Sequence, residues 1–515
     1  MTTTVASVVV GGSPLTPEQV LAVARHGAHV TLTEEACKAV RRGRERVESL
    51  ARSETPAYGI STGFGALATR HIAPDLRARL QRSLIRSHAA GAGPEVEKEA
   101  VRALMLLRLR TLCSGNTGVR QATADTLAAL LNAQITPVVH EYGSLGCSGD
   151  LAPLSHVALA MMGEGQVRDA SGELQEAGAA LQAAGLRPVE LGAKEGLALI
   201  NGTDGMLGML VMACLDLARL LKTADITAAM SIEALLGTDR VFDEELQLLR
   251  PHPGQAVSAA NLRALLADSP VVASHRGPDC DRVQDAYSLR CAPQVAGAAR
   301  DTLAHARLVA ERELDSIIDN PVVLDDGRVE SNGNFHGAPV AYVLDFLAIA
   351  VADTASIAER RTDRMLDVAR SHGLPAFLAD DPGVDSGHMI AQYTQAAIVS
   401  ELKRLAAPAS VDSIPSSAMQ EDHVSMGWSA ARKLRRAVSG LTDVLAVELL
   451  TAARALDLRS PLEPGPATGA VSRTVRARVP GPGPDRHLSP EIAAVAELIT
   501  RGTIVEAAES VISLD

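Results

Sequence analysis

Aromatic residues are scarce in this sequence. They make up 2% of the 515 residues, with a single tryptophan, so the 47% hydrophobic share comes mostly from alanine, leucine and valine. Alanine and leucine are strong helix formers. The composition therefore predicts an α-rich protein, and the length allows one large core or two to three regions.

An excess of basic charge and a metal-binding spacing are also missing. The formal net charge is −12, from 49 basic and 61 acidic residues, which argues against a nucleic-acid partner or an anionic membrane surface. The six cysteines form no C-x-x-C pair and no zinc-type spacing with histidine; they stand at positions 37, 113, 147, 214, 280 and 291. We expect no bound metal.

Neither a secretory leader nor a long apolar run stands out. Residues 1–4 have neither the basic region nor the apolar core of a signal peptide. The longest apolar run, residues 205–215, ends at Asp216 and is too short to span a bilayer. We therefore expect a cytoplasmic protein with reduced thiols and no membrane partner.

Apolar residues recur at helical spacing along most of the chain. Two β-like runs, at residues 8–10 and 30–32, accompany predicted helices at 34–52, 76–90, 95–112 and 118–132, and a small hairpin is predicted around 169–172. Longer helical stretches follow at 203–237, 292–316, 338–370, 387–407 and 421–456. Residues 458–488, rich in Pro, Gly and Arg, predict a long loop before a final helix at 489–510.

These patterns predict a mainly α fold class. Helices of this length usually pack as a bundle, and no fixed-period repeat indicates a solenoid. We predict two regions: residues 1–200, a smaller mixed region that carries the active-site loop, and residues 201–515, a long central helix bundle with the C-terminal helices.

The glycine-rich loop at residues 143–151 contains a tripeptide, Cys147-Ser148-Gly149, whose backbone could cyclise. The Gly149 nitrogen would attack the Cys147 carbonyl carbon, and loss of two waters, one carrying the Ser148 hydroxyl, would leave a 4-methylidene-imidazol-5-one. Glycine keeps the attack uncrowded and serine supplies the alkene. Asp150 is predicted to N-cap the helix that follows, whose dipole would make the ring more electrophilic.

Three other interpretations of this loop are a nucleophile elbow, a phosphate-binding loop and a plain glycine turn. A nucleophile elbow needs glycine two residues after the serine, where Asp150 stands. A phosphate-binding loop needs Gly-Lys-Ser/Thr, which is absent. A plain glycine turn stays open on these residues alone.

Residues 143–156, GSLGCSGDLAPLSH, strongly resemble the active-site signature of the aromatic amino-acid ammonia-lyases. Further segments look like family blocks in family order: residues 58–65 (YGISTGFG), 194–203 (KEGLALINGT), 283–294 (VQDAYSLRCAPQ), 331–337 (SNGNFHG) and 410–427 (SVDSIPSSAMQEDHVSMG). The resemblance implies a ring formed autocatalytically from the tripeptide, no metal or soluble cofactor, and a homotetramer whose active sites are shared between subunits.

The resemblance also implies roles for single residues. Tyr58 would remove the β-proton, and Arg290 would bind the α-carboxylate through a bidentate fork. Gln284 and Tyr287 precede Arg290 at three-residue intervals, so in a helix the three would share one face. Tyr287 would act near the ring, Gln284 would orient its neighbours, Asn201 would bind the amine or the cyclising backbone, and Phe335 would line the site or pack in the core.

Two residues favour the histidine-selective branch of the family. His88 and Glu421 resemble its substrate-facing positions and would hold an imidazole, so we expect conversion of L-histidine to trans-urocanate and ammonia. A tyrosine or phenylalanine ammonia-lyase, or an aminomutase with the same ring, is the nearest alternative. An aspartase/fumarase-type lyase and a catalytically dead scaffold are remoter ones.

Three residues depart from the family pattern. Cys147 replaces the commoner alanine of the tripeptide, Asp204 stands where many relatives have glutamine, and His388 stands where many have phenylalanine. We expect Cys147 to permit cyclisation while its thiol affects ageing or thiol sensitivity. The other two affect the expected shape of the pocket but not the reaction.

Overall fold

The fold is known from a computed structural model, which describes residues 6–11, 13–52, 59–63, 70–277, 280 and 283–515. Within these residues the chain is mostly helical, with nine short strands. The strands are β1 Ser7–Val10, β2 His29–Leu32, β3 Ala92–Glu95, β4 Thr136–Pro137, β5 His140–Tyr142, β6 Gln166–Arg168, β7 Leu174–Glu176, β8 Val322–Val323 and β9 Val329–Glu330.

The described residues form twenty α-helices, several of them about thirty residues long. They are α1 Pro17–Ala24, α2 Glu34–Ala51, α3 Arg77–His88, α4 Lys98–Leu112, α5 Gln121–Asn132, α6 Leu151–Met161, α7 Ala177–Ala183, α8 Glu195–Ile200, α9 Asp204–Ala234, α10 Glu244–Leu248, α11 Pro253–Leu266, α12 Pro270–Ala273, α13 Tyr287–Arg290, α14 Ala292–Asp315, α15 Ala338–Leu366, α16 Met389–Leu405, α17 Gly427–Asp457, α18 Pro466–Arg476, α19 Ser489–Thr500 and α20 Thr503–Glu509.

The chain divides into two compact units. The first comprises residues 1–212, 307–345 and 408–432, and the second comprises residues 213–306, 346–407 and 433–515. All nine described strands belong to the first unit. The predicted division into residues 1–200 and 201–515 stays a prediction.

The small sheets of the first unit are local pairings. β1 pairs with β2 in parallel, with Ser7 opposite His29. β6 and β7 form the predicted hairpin, and β4 extends it to three antiparallel strands. β3 pairs with β5, and β8 with β9, both antiparallel.

Helix starts follow familiar capping chemistry. Thr16 and Gln19 form a capping box at α1, with Pro17 in the first turn. At α2 the Thr33 side chain accepts from the Ala36 N–H, so an otherwise unpaired donor of the first turn is satisfied.

Each unit has its own apolar core. In the first unit, α4 is buried from Ala100 to Leu112, a stretch made mostly of alanine, leucine, valine and methionine. In the second unit, Leu441, Val444 and Leu445 of α17 are completely buried. These two helices show why the alanine- and leucine-rich composition suffices for cores with few aromatic rings.

One helix among the described residues, α15, is long and apolar enough to span a bilayer by length and composition alone. Its most apolar window has a mean hydropathy of 1.7, and 61% of that window is buried. Burial of this extent is typical of a core helix.

Two predictions for the C-terminal segment are wrong. The expected loop at 458–488 contains the helix α18, which buries Val471 and Val475. This helix can begin at Pro466 because proline fits the first turn of a helix. The single helix expected at 489–510 is two helices, α19 and α20, since Gly502 adopts a left-handed φ of 82° between them.

Candidate active site

A cavity of about 610 Å³ lies within the first unit. It brings together four residues that the sequence analysis singled out: His88, Ser148, Asn201 and Glu421. Its other described lining residues are Gly63, Arg70, Ile72, Leu80, Ser83, Leu84, Ser87, Leu151, Leu197, Ile200, Asn320 and Ser417. The lining combines leucine and isoleucine side chains with convergent polar groups, as in many small-molecule sites.

The loop that carries Ser148 depends on glycine at two positions. Gly146 and Gly149 have φ values of +66° and +79°, which other residues rarely adopt. A Cβ on Gly149 would lie 2.1 Å from the Gly202 carbonyl oxygen, and a Cβ on Gly146 would lie 2.3 Å from Ser425 Oγ. The loop is therefore both left-handed and tightly enclosed at these points.

Distant segments hold the loop in place. The Gly146 carbonyl accepts from Ser425 Oγ at 2.7 Å and from the Gly337 N–H at 3.1 Å, and the Leu145 carbonyl accepts from the Met426 N–H at 2.9 Å. Buried backbone carbonyls need hydrogen-bond partners, and these two carbonyls of an irregular loop find them inside the first unit.

Glu421 reaches the tripeptide directly. Its Oε1 accepts from Ser148 Oγ at 3.1 Å, and its Oε2 accepts from Cys147 Sγ at 3.2 Å and from Ser416 Oγ at 2.8 Å. Backbone hydrogen bonds in both directions join Ser416 and Glu421, so the carboxylate stands on a closed turn.

The Cys147 thiol is buried beside this carboxylate. Burial, followed by the Glu421 charge, raises the pKa of Cys147 to about 12. At neutral pH the sulfur is therefore a protonated donor rather than a reactive thiolate. The expected thiol sensitivity has little support in this environment.

Asp150 does not cap the helix that it precedes. α6 begins after Asp150 without a hydrogen bond from its side chain. Instead, Asp150 Oδ2 accepts from the N–H groups of Gly205 and Met206 at 2.9 Å each, and Oδ1 accepts from Ser144 Oγ at 2.9 Å. The predicted cap is wrong because the carboxylate turns to the first turn of α9, where two N–H groups converge.

Asp150 is also completely buried. Burial raises its pKa to about 7, although hydrogen bonds from Met206 and Ser144 oppose that shift. A carboxyl group next to the tripeptide therefore changes charge near neutral pH.

His88 ends α3 at the wall of the cavity. Its Nδ1 lies 3.0 Å from Ser87 Oγ. Burial lowers the pKa of His88, while a hydrogen bond involving Leu84 and the Glu421 charge oppose the shift. The imidazole is therefore neutral at neutral pH, which suits a hydrogen-bonding role.

Asn201 is buried where α8 ends. Its Nδ2 donates to the Asn320 carbonyl at 3.4 Å, and the next residue, Gly202, pairs with Gly149 in an isolated bridge. The Asp150 N–H donates to the Gly202 carbonyl at 2.7 Å. Asn201 thus stands on the segment that packs against the tripeptide.

The residues present fit the expected ring. Gly149 has no room for a side chain, and the Ser148 hydroxyl lies at the cavity wall within hydrogen-bond distance of a carboxylate. The described residues contain no group of three or more His, Cys, Asp or Glu side chains that could hold a metal ion.

Comparison with known proteins places this chain in a family. Residues 15–477 match the family model described as aromatic amino acid lyase. The chain belongs to the aromatic amino acid lyase family. The resemblance inferred from the ordered sequence blocks is thereby confirmed.

Individual members of the family are similar along almost the whole chain. A Streptomyces coelicolor protein named histidine ammonia-lyase is 68% identical over 506 residues, 98% of this chain and 99% of that protein. The crystal structure of tyrosine aminomutase from Streptomyces globisporus is 40% identical with a TM-score of 0.93, covering 99% of each chain. That of histidine ammonia-lyase from Trypanosoma cruzi is 37% identical with a TM-score of 0.90, covering 98% of this chain and 96% of the other. The mainly α fold class is confirmed.

Two residues expected from the aromatic amino acid lyase pattern are not among the described residues that line the cavity. Tyr58, the expected base, falls outside the described residues. Phe335 is half-buried and is not among the described residues that line the cavity. Their roles stay predictions.

The expected carboxylate clamp lies in the second unit. Tyr287 and Arg290 share the short helix α13, with the guanidinium carbon 4.7 Å from the centre of the tyrosine ring. Arg290 Nε donates to the Asp285 carbonyl at 3.0 Å. Gln284 precedes the helix, so the expectation of one helical face for all three residues is wrong.

Some residues in or beside the cavity escaped the sequence analysis. Ser416 lies in a block that resembles the family, whereas Arg70 and Asn320 lie outside these blocks. Only their positions in space show that Arg70 and Asn320 line the cavity and that Ser416 donates to Glu421. The cis bond between Asn320 and Pro321 has no signal in the sequence beyond the proline itself.

Proposed function

We propose that this protein is an ammonia-lyase that converts L-histidine to trans-urocanate and ammonia. The observation that carries the proposal is the Ser148 hydroxyl of a Cys-Ser-Gly tripeptide, held in a cavity by Glu421 with His88 in the same wall. The 68% identical relative named histidine ammonia-lyase supports this substrate.

The electrophile proposed for the reaction is a 4-methylidene-imidazol-5-one made from Cys147, Ser148 and Gly149. When formed, this ring supplies an electrophilic carbon that turns the substrate amine into a better leaving group. No metal or soluble cofactor is part of the proposal. The enclosed, left-handed Gly149 and the adjacent Asp150 support it, because both restrain the backbone that must close.

Glu421 has a second proposed task after the ring has formed. Ring formation removes the Ser148 hydroxyl, which is the donor now within 3.1 Å of Glu421 Oε1. That oxygen then has a free lone pair for an imidazole N–H, and the neutral His88 can bind the same ring. An imidazole N–H can replace the Ser148 hydroxyl as the donor to Glu421 Oε1, whereas an apolar phenyl ring offers this oxygen no donor.

The other roles follow the family pattern. We propose that Tyr58 removes the β-proton and that Asn201 binds the amine or the cyclising backbone. In the second unit, Arg290 binds the α-carboxylate and Tyr287 and Gln284 act beside it. Phe335 would line the site.

Assembly and location complete the proposal. We propose a cytoplasmic homotetramer with active sites shared between subunits, a smaller region at 1–200 that carries the loop, and an oligomer core in 201–515. No nucleic-acid or membrane partner is included, in keeping with the net charge of −12.

Replacement of Ser148 by alanine tests the proposed function. We expect urocanate formation from L-histidine to fall to the background rate, and the 147–149 peptide to keep its unmodified mass. The parent peptide should be lighter by two waters. Ser155→Ala is the matched control, because Ser155 Oγ donates to the Leu151 carbonyl within α6 and Ser155 is not among the described residues that line the cavity.

Substrate choice is tested on the parent protein with L-histidine, L-tyrosine and L-phenylalanine. Urocanate from L-histidine alone supports the proposal. Cinnamate-type products would favour the tyrosine or phenylalanine branch, and a β-amino acid would favour an aminomutase, the activity named for the structural relative from Streptomyces globisporus. An unmodified parent peptide together with no turnover would indicate a dead scaffold.

A further inference from the structure

Arg108 is a fully buried arginine of α4 that binds the backbone on which Asn201 stands. Its Nη1 donates to the carbonyls of Ala198 at 3.0 Å and Asn201 at 2.7 Å, and its Nη2 donates to the Ile318 carbonyl at 3.1 Å. One guanidinium therefore ties together the end of α8 and a segment more than a hundred residues later.

The Arg108 guanidinium packs against one side of Gly202, and the tripeptide packs against another side of Gly202. A Cβ on Gly202 would lie 2.1 Å from Arg108 Nη2. A Cβ on Gly149 would lie 2.1 Å from the Gly202 oxygen, to which the Asp150 N–H also donates. Because such interiors are closely packed, a shift of Arg108 is passed to Gly149 through Gly202.

Buried charges fix the guanidinium itself. Arg108 Nη2 lies 2.8 Å from Asp204 Oδ2, and both side chains are almost completely buried. A second buried ion pair, between Lys194 and Asp319, lies in the segments that flank these contacts. Buried ion pairs contribute little net stability compared with apolar packing, so the geometry that they impose is their more informative property.

We propose that Arg108 is a positioning residue for ring closure in Cys147-Ser148-Gly149, acting through the backbone of Gly202. The inference rests on the proposed function, since it concerns the maturation of the same site. It adds a residue that contacts neither the substrate nor the tripeptide.

The cyclisation that Arg108 assists needs no other reactant, because every atom that leaves is lost as water. The Gly149 nitrogen bonds to the Cys147 carbonyl carbon, and the carbonyl oxygen leaves as water with the Gly149 and Ser148 amide protons. The Ser148 hydroxyl leaves as a second water with the Ser148 Cα proton. An intramolecular attack of this kind depends steeply on the separation of the reacting atoms, and a misplacement of about 1 Å can cost roughly a hundredfold in rate.

Arginine suits this task better than lysine. Its planar fork donates to three carbonyls and pairs with Asp204 in one fixed geometry, whereas an ammonium is a point charge on a flexible stem. Arg108→Lys therefore keeps the charge and most of the volume but loses the fixed spacing between the Asn201 and Ile318 carbonyls.

The test compares Arg108→Lys with Arg102→Lys, measuring the mass of the 147–149 peptide and the temperature of unfolding. Arg102 is the matched control: it lies on the same helix, is equally buried, and donates to the carbonyls of Val23 and Leu131, away from the site. We expect similar losses of thermal stability in both. Only Arg108→Lys should accumulate the peptide that has lost no water, with dehydration slowed about tenfold or more.

A second variant keeps the inference testable if Arg108→Lys does not fold. Asp204→Asn retains Arg108 but removes the charge that holds it, and we expect slower dehydration here too. Complete loss of both waters from the 147–149 peptide of Arg108→Lys overturns the positioning role. If only Asp204→Asn folds, complete loss of both waters in that variant overturns it. A parent protein without dehydration and without urocanate formation would instead overturn the proposed function itself.

Discussion

At the scale of single residues, Glu421 is the side chain on which the tripeptide and the proposed substrate converge. Three side-chain donors lie within 3.2 Å of its two oxygens, from Cys147, Ser148 and Ser416. A carboxylate with this many donors is held in one orientation. The proposed selectivity for an imidazole depends on that fixed orientation.

Glu421→Gln should therefore weaken the handling of L-histidine. A hydrogen bond to a charged group is worth about 1.5–3 kcal/mol, so we expect kcat/KM to fall roughly 10- to 150-fold. The control is Asp422→Asn, which neutralises the exposed neighbouring carboxylate and should leave kcat/KM unchanged. Equal effects in steady-state assays of the two variants would contradict the assigned role.

His388 should make the protein less stable in acid. Burial, followed by repulsion from Arg454, Arg476 and Arg486, lowers its pKa from 6.5 to about 3, with Asp485 opposing the shift. Between these values the unfolded chain binds a proton that the folded chain does not. The contribution of the neutral His388 to the free energy of unfolding is therefore fully present above about pH 6.5, and it is lost as the pH falls towards 3.

Replacement of His388 by phenylalanine, which does not titrate, should remove part of this pH dependence. We expect the midpoint of urea unfolding to drop less between pH 7 and pH 5 in His388→Phe than in the parent. An identical drop in both proteins would show that His388 does not cause the loss of stability between pH 7 and pH 5.

The sequence predicts single residues well where a local motif marks them and poorly where only packing does. Ser148 and Gly149 belong to a motif whose chemistry can be deduced from three residues. The cap predicted for Asp150 is on the wrong helix, because its true donors, at Gly205 and Met206, are distant in sequence. Arg108 has no signal in the sequence at all, since helical arginines are ordinarily exposed.

At the scale of elements, the loop of residues 143–151 combines conformational and steric demands. Gly149 needs both a positive φ and the absence of a Cβ. Gly172, in the β6–β7 hairpin, has a φ of +88°, but a Cβ added there would meet no atom within 4 Å. The two glycines therefore separate the cost of backbone strain from that of a steric clash.

Gly149→Ala should consequently be far more damaging than Gly172→Ala. Left-handed backbone in alanine costs about 1–2 kcal/mol, and we expect Gly172→Ala to lose no more than this. Gly149→Ala adds a clash with Gly202 and should also abolish loss of water from the tripeptide. Thermal unfolding and peptide mass measure the two effects, and comparable behaviour of the variants would contradict the close packing at Gly202.

Elements are predicted most reliably where apolar periodicity is long. α2, α9 and α14 begin and end within a few residues of their predicted limits. Composition misleads the prediction at α18, because a segment rich in Pro, Gly and Arg indicates a loop despite apolar residues at helical spacing. Periodicity continues across Gly502, so it gives no sign of the break between α19 and α20.

At the scale of the whole molecule, apolar side chains remain exposed on long helices of the second unit. Phe346 and Ile349 of α15 are 45% and 48% exposed, and Ile390 and Tyr393 of α16 are 57% and 60% exposed. Grouped apolar exposure of this kind often marks an interface between protein chains. It is consistent with the proposed homotetramer, whose subunits would cover these faces.

Phe346→Asp should therefore disrupt the assembly. A carboxylate at a buried interface loses its hydration without gaining a partner, so we expect smaller species in analytical ultracentrifugation and, with shared active sites, lower activity. Leu249→Asp is the control, because Leu249 is 83% exposed and lies away from α15 and α16 in sequence. A tetramer that survives Phe346→Asp would exclude this face as an interface.

The contacts of the Gly146 carbonyl bear on the order in which the protein is made. Its partner Ser425 follows 279 residues later, and Gly337 also lies far beyond the tripeptide. During synthesis the tripeptide therefore leaves the ribosome long before the segments that shape it. The proposed ring closure would therefore belong to the finished chain rather than to the growing one, and loss of two waters would mark the molecules that have completed folding.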